Sequence, residues 1–61
     1  MKIRVIDTIL NRVDNDFDNV RAIVETKGRV TILFGETNNQ REHTYHKGDK
    51  RFKFEIESFY N

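Results

Sequence analysis

Residues 51–60 alternate between two kinds of side chain. Phe52, Phe54, Ile56 and Tyr60 share one parity, and Arg51, Lys53, Glu55 and Glu57 share the other. Successive side chains of a strand point to opposite faces, so the pattern predicts a strand with one dry and one wet side. Its dry side is expected to supply most of an aromatic core. A second block, Val20, Ala22 and Val24 against Arg21, Ile23 and Glu25, runs through Lys27-Gly28-Arg29 into Val30, Ile32 and Phe34. This predicts a hairpin in which Gly28 takes the positive φ of a tight turn. A two-residue loop at Lys27-Gly28 pairs Val24 with Thr31 and Glu25 with Val30, mixing apolar and polar partners. A three-residue loop at 27–29 pairs Val24 with Ile32, Ala22 with Phe34 and Thr26 with Val30. The second register gathers one apolar face and is the one expected. It leaves Ile23 and Leu33 paired on the other face.

The remaining segments are weaker. Ile3, Val5 and Ile9 share a parity, while Ile3, Ile6, Leu10 and Val13 also fit helical spacing. The many β-branched residues favour a strand from Lys2 to Leu10. Asn11 to Asn19 then reads as a polar loop carrying Phe17. Gly35 to Gln40 is a turn cluster, and Lys47-Gly48-Asp49-Lys50 is another. Between them, Arg41 to His46 reads as a polar strand at an edge, with Tyr45 its one strong apolar residue.

Five short strands in so short a chain suggest an all-β fold, a small five-stranded antiparallel barrel or a highly curved sheet. Closure would help remove exposed edges. The strand count and long first loop resemble SH3-type barrels more than OB-type ones, which carry a helix between the third and fourth strands. That likeness implies nothing about a ligand. With no Trp and no tyrosine pair in the first loop, a proline-binding groove is not evident. The alternative is an α+β fold with an N-terminal helix.

Size and composition narrow the functions. The 61 residues suit a single domain, 1–61. A chain of this size buries only about 60% of its unfolded surface, so self-association into a homodimer is a reasonable source of added stability. There is no cysteine, which removes disulfides and thiolate metal sites and fits a reducing cytoplasm. No stretch approaches the roughly 20 apolar residues that cross a bilayer, and Met1-Lys2-Ile3 runs into alternating charge instead of an apolar leader. A soluble, cytoplasmic protein without a membrane partner is expected.

The net charge of +1 hides an asymmetry. Asp7 to Glu25 carries five acids against two bases, and Arg41 to Lys53 carries five bases against two acids. Within the acidic half, Asp14, Asp16, Asp18 and Glu25 match the first, third, fifth and twelfth ligand positions of a calcium loop. The match departs from the pattern at Asn19, Arg21 and Ala22, where such loops place glycine, an apolar residue and a ligand. An acidic turn explains the motif better, and these four acids are only a weak metal candidate. His43 and His46 are three apart, which sends them to opposite faces of a strand, and no cysteine completes a site.

Catalysis finds no support. No nucleophile, base and orienting group share a suggestive spacing, and Gly28, Gly35 and Gly48 form no phosphate-binding loop. No cofactor is implied. The basic stretch is the best functional clue: Arg41, His43, Tyr45, Lys47, Lys50, Arg51, Lys53 and the aromatic Phe59. If its two strands pair, the cations cluster on one side, as in small barrels that bind single strands through cations and stacking aromatics. Tyr45 and Phe59 are the stacking candidates. The pI near 8.1 is lower than that of a dedicated nucleic-acid binder. The leading expectation is therefore a non-enzymatic binding module acting on another protein, with nucleic acid as the alternative partner. The Asn-, Lys-, Ile- and Phe-rich composition suits an accessory or inhibitor protein of a bacterium or phage.

Overall fold

The computed structural model describes residues 1–57. The expectations placed on Phe59 and Tyr60 lie outside the described residues. Six strands follow one another: β1 (Lys2–Asp7), β2 (Arg12–Phe17), β3 (Val20–Thr26), β4 (Arg29–Glu36), β5 (Asn39–His46) and β6 (Phe52–Glu57). They form two antiparallel three-stranded sheets, ordered β2-β1-β6 and β3-β4-β5. Among the described residues there is no helix, and the strands do not close into a barrel. No helix is long and apolar enough to cross a membrane.

The N-terminal segment is a strand, as its β-branched residues predict, and the helical alternative is overturned. That strand ends at Asp7 rather than Leu10. The expected loop at 11–19 is mostly strand β2, so the strands number six and not five. Two asparagines make this possible. Asn11 and Asn19 adopt positive φ, 55° and 54°, which the asparagine side chain tolerates better than most. They turn the chain on either side of a segment, Arg-Val-Asp-Asn-Asp-Phe, whose own β-propensity is poor. Pairing with β1 overrides that propensity and drives Phe17 inward, where it is buried.

Two bulges reset the parities on which the sequence reading relied. Val5 pairs with Asn15 and Ile6 with Val13, which leaves Asp14 as an extra residue. On β3, Val20 pairs with Phe34 and Ala22 with Leu33, leaving Arg21 extra. Arg21 is anchored there, its Nε donating to the Gly35 carbonyl at 3.1 Å and its Nη2 to the Thr37 hydroxyl at 2.8 Å.

The Arg21 bulge explains why the hairpin register differs from expectation. The loop is the two-residue Lys27-Gly28, with Gly28 at φ 88°, and the pairs are Ile23–Ile32, Val24–Thr31 and Glu25–Val30. The three-residue register assumed an unbroken alternation from Val20 to Val24. With one residue bulged out, Val20 and Ile23 both face inward, and Ala22 and Val24 pair across the outer face with Leu33 and Thr31. Ile23 packs against the core and does not share a solvent-side spot with Leu33.

One core lies between the sheets. It consists of Ile3 and Val5 from β1, Phe17 from β2, Val20 from β3, Ile32 from β4 and Tyr45 from β5. Ile23, Phe34, Phe52 and Phe54 pack around it. The dry side of β6 is thus a flank of the core and not its bulk. Phe52 and Phe54 are half-buried, and Ile56 is 58% exposed despite its inward parity. β6 is the outer strand of its sheet, so among the described residues no further strand of that sheet covers Ile56.

Candidate functional site

Asp7 shares its parity with Ile3 and Val5, and β1 therefore carries a carboxylate into the interior. Asp7 is only 3% exposed. A buried charge requires a partner and hydrogen bonds, and Asp7 has both. Arg51, the residue just before β6, donates to it from Nε at 3.1 Å and from Nη2 at 2.5 Å. The backbone N–H groups of Ile9 and Leu10 donate to the same carboxylate at 3.0 and 3.1 Å. Thr8 completes the joint by donating its N–H and its hydroxyl to the Arg51 carbonyl, at 2.7 and 2.5 Å. The Arg51 hydrogen bonds hold the Asp7 carboxyl below its ordinary range, with help from the two backbone donors and against the opposing effect of burial. Asp7 in turn raises the already high value of Arg51.

This joint braces a turn whose tip is apolar. Ile9 is 71% and Leu10 53% exposed, and Val13 beside them is 49% exposed. Val13 pairs with half-buried Ile6 on the outer face of the same sheet, which extends the apolar surface from the tip. Sequence reading missed this site. Its signal was present in the parity of Asp7 with Ile3 and Val5, since an acid on a dry parity demands a cation. Nothing local pointed to Arg51 as that cation.

The second feature is a line of rings between the sheets. Phe34 contacts Phe17 at a centroid distance of 4.9 Å, Phe17 contacts His43 at 5.6 Å, and His43 contacts Tyr45 at 4.7 Å. Tyr45 then meets Phe52 at 5.0 Å and Phe54 at 5.4 Å. The tilted and edge-on geometries are those favoured by the ring quadrupoles. The Tyr45 hydroxyl donates to the Asp14 carboxylate at 3.0 Å and accepts from the Asn15 amide at 3.5 Å. The bulge at Asp14 aims both polar groups at this one hydroxyl. Burial, reinforced by the bond to Asp14 and offset by Asn15, pushes the Tyr45 phenol up to about 12.

The basic stretch does not form one face. β5 and β6 lie in different sheets and do not pair with each other. Arg41, His43 and Tyr45 share the inward parity of β5, opposite Phe34, Ile32 and Val30. Arg41 and His43 are exposed, whereas Tyr45 is 6% exposed and is core, not a stacking platform. Arg51 is turned to Asp7 and lies over the Phe52 ring at 5.5 Å. Lys53 lies on the outer face of the first sheet, opposite Ile6. His46 has the parity opposite to His43. Phe59 lies outside the described residues.

Lys47 and Lys50 do meet at the rim of a cleft of about 320 Å³, together with His46 and Asp49. Its floor is Val30, Tyr45, Phe52 and Phe54. The rim carries little net charge, because Asp49 shares it with Lys50 and the Lys47 ammonium lies 3.4 Å from Glu25.

The acidic motif is dispersed. Asp14 holds Tyr45, Asp16 faces Arg4 at 4.0 Å, Asp18 faces Lys2 at 3.4 Å, and Glu25 is in the other sheet with Lys47. Among the described residues no three metal-ligating side chains come together.

No known protein family, curated protein or solved structure matches the chain. Fold and site together define a small all-β domain of two sheets, with a braced apolar turn at one end.

Proposed function

We propose that this protein is a non-enzymatic binding module that acts through contact with another protein, and that the β1–β2 turn is its anchor. The observation that carries the reading is the exposure of Ile9 and Leu10 on a turn fixed by a buried carboxylate. Binding energy concentrates in a few apolar anchors, and an anchor already held in place loses less entropy on association. Here Asp7, Arg51 and Thr8 hold the turn before any partner arrives. Val13 and Ile6 supply an apolar surround on the adjacent sheet face.

The test is capture from the native source with the wild-type chain, compared with an Ile9→Ser, Leu10→Ser double variant. Both substitutions fall on exposed side chains, so the circular dichroism spectrum should be unchanged. A specific partner held by the wild type and lost by the variant is the expected result. Retention of that partner by the folded variant would remove the turn from the binding surface.

A second reading, contact with nucleic acid, draws on the exposed Arg41 and His43 of edge strand β5 and on Lys50, which shares a cleft with His46 at the end of that strand. Arg41 and Lys50 make no salt bridge among the described residues. Phosphate binding weakens steeply with salt, so titration of single-stranded and duplex oligonucleotides at low and high salt separates the two readings. Absence of binding at low salt would end this one.

A further inference from the structure

We infer that two copies of this chain pair through the free edges of their β6 strands, in antiparallel register about a two-fold axis at Phe54. The inference rests on the edge of β6 and is independent of the partner assigned to the β1–β2 turn.

The parity of that edge follows from the ladder with β1. The pairs run from Lys2–Glu57 to Asp7–Phe52, and the next pair, Thr8 with Arg51, is joined by the Thr8 N–H donating to the Arg51 carbonyl at 2.7 Å. Hydrogen-bonded pairs alternate along an antiparallel ladder, so Arg51, Lys53, Glu55 and Glu57 direct their backbone groups to β1. The N–H and C=O groups of Phe52, Phe54 and Ile56 therefore point away from it, along an edge with no strand beyond it among the described residues.

Charge then selects the register. Pairing those outward groups with a second β6 allows few alignments. Centred on Glu55, the alignment sets Glu55 against its own copy. Centred on Lys53, it sets Lys53 against its own copy. Like charges directly opposed are destabilising. Centred on Phe54, Lys53 of each chain faces Glu55 of the other, and Phe52 of each faces Ile56 of the other. This alignment places opposite charges together twice and covers the Ile56 side chain left 58% exposed on its inward parity. Lys53 and Glu55 make no salt bridge among the described residues, so both are free for the partner. Among the described residues, two of the other three edges are less suited. β2 would bring its aspartates together, and on β3 the residues that would pair, Arg21 and Glu25, are already engaged with Thr37 and Lys47. The arrangement is isologous and closes on itself, giving one continuous six-stranded sheet.

One short strand pair buries less than the roughly 1,600 Å² of a standard interface, so the dimer is weak and depends on concentration. Sedimentation and NMR diffusion from about 10 µM to 1 mM (the range in which such weak contacts populate) should show monomer passing to dimer. Lys53→Glu and Glu55→Lys should each weaken the dimer at least tenfold. Mixing the two single variants, or combining both changes in one chain, should restore it, because every opposed pair is again of opposite sign. Amide exchange gives a second readout in the wild type. The N–H groups of Phe52, Phe54 and Ile56 should gain protection as concentration rises. A strict monomer at the highest concentration, a dimer indifferent to Lys53→Glu, or unprotected amides at Phe52, Phe54 and Ile56 in the dimer would each overturn the inference.

Discussion

Arg51 grips Asp7 across 44 positions of sequence, through Nε at 3.1 Å and Nη2 at 2.5 Å. The pair joins the end of β1 to the start of β6 and shapes the turn between β1 and β2. A fork of parallel donors on a carboxylate is specific to arginine, since the lysine ammonium is a point charge without that planar geometry. Arg51→Lys should therefore recover only part of the stability that Arg51→Ala loses. Arg51→Ala should lower the melting temperature by several degrees, because it leaves the Asp7 carboxylate buried without its cation. Thermal unfolding of the three proteins at neutral pH checks the order wild type, Arg51→Lys, Arg51→Ala.

The same pair sets a pH dependence. The Asp7 carboxyl titrates lower in the folded chain than in the unfolded one, chiefly because Arg51 donates to its ionised form. The unfolded chain therefore binds the proton first as pH falls. Stability contributed by Asp7 is fully present above the ordinary carboxylate range near pH 4 and declines as pH drops through the lower folded value. Urea midpoints between pH 7 and pH 2 should fall in the wild type. In Asp7→Asn the midpoint should start lower and change less over that interval.

Tyr45 predicts the opposite limb. Its phenol is raised to about 12 in the folded chain by burial, with Asp14 adding to the shift. An unfolded tyrosine ionises near 10, so above that pH the unfolded chain loses its proton while the folded chain keeps it. Stability from this group is fully present below pH 10 and is lost as pH rises toward 12. The chain has two tyrosines, so a Tyr60→Phe background isolates the signal. Ultraviolet titration of that chain should show phenolate forming near pH 12. Asp14→Asn should move it downward by removing the facing charge.

Two glycines separate conformational cost from steric cost. Gly28 has φ 88° and open space where a Cβ would stand, so Gly28→Ala should cost about 1–2 kcal/mol from the left-handed backbone alone. Gly35 has φ 101°, and a Cβ there would fall on the Asn39 carbonyl oxygen, which is backbone and cannot swing aside. Gly35→Ala should be clearly worse, above about 3 kcal/mol when strain and displacement combine. Denaturant unfolding of the two variants should place them in that order.

Much of the fold can be read from alternation alone. The all-β class, the hairpin around Gly28, the strand beginning at Lys2 and the strand after the 47–50 turn follow from side-chain parity, which is a local property of extended chain. The β-branched residues near Ile3 and Val5 were enough to decide strand against helix. Parity breaks wherever a bulge inserts a residue. A bulge is chosen by what lies across the sheet, so the hairpin register and the facing of Ile23 could not be read locally. The Asp14 bulge has the same origin, since its carboxylate is directed at Tyr45 on the other sheet.

The candidate site shows the same division. The sequence by itself determined the inventory: a near-neutral charge, an acidic half, a basic stretch, no cysteine, and one acid, Asp7, on an apolar parity. It also determined that β2 is poor in strand-forming residues and that β6 is two-sided. Only the tertiary structure decided that β5 and β6 belong to different sheets, which divides the basic stretch and turns Tyr45 inward. Only the tertiary structure brought Arg51 to Asp7 and so braced Ile9 and Leu10 in the open. The physical reason is that a strand specifies its own faces but not its neighbours. Pairing and burial are settled by which arrangement covers the most apolar surface while giving each interior charge a partner.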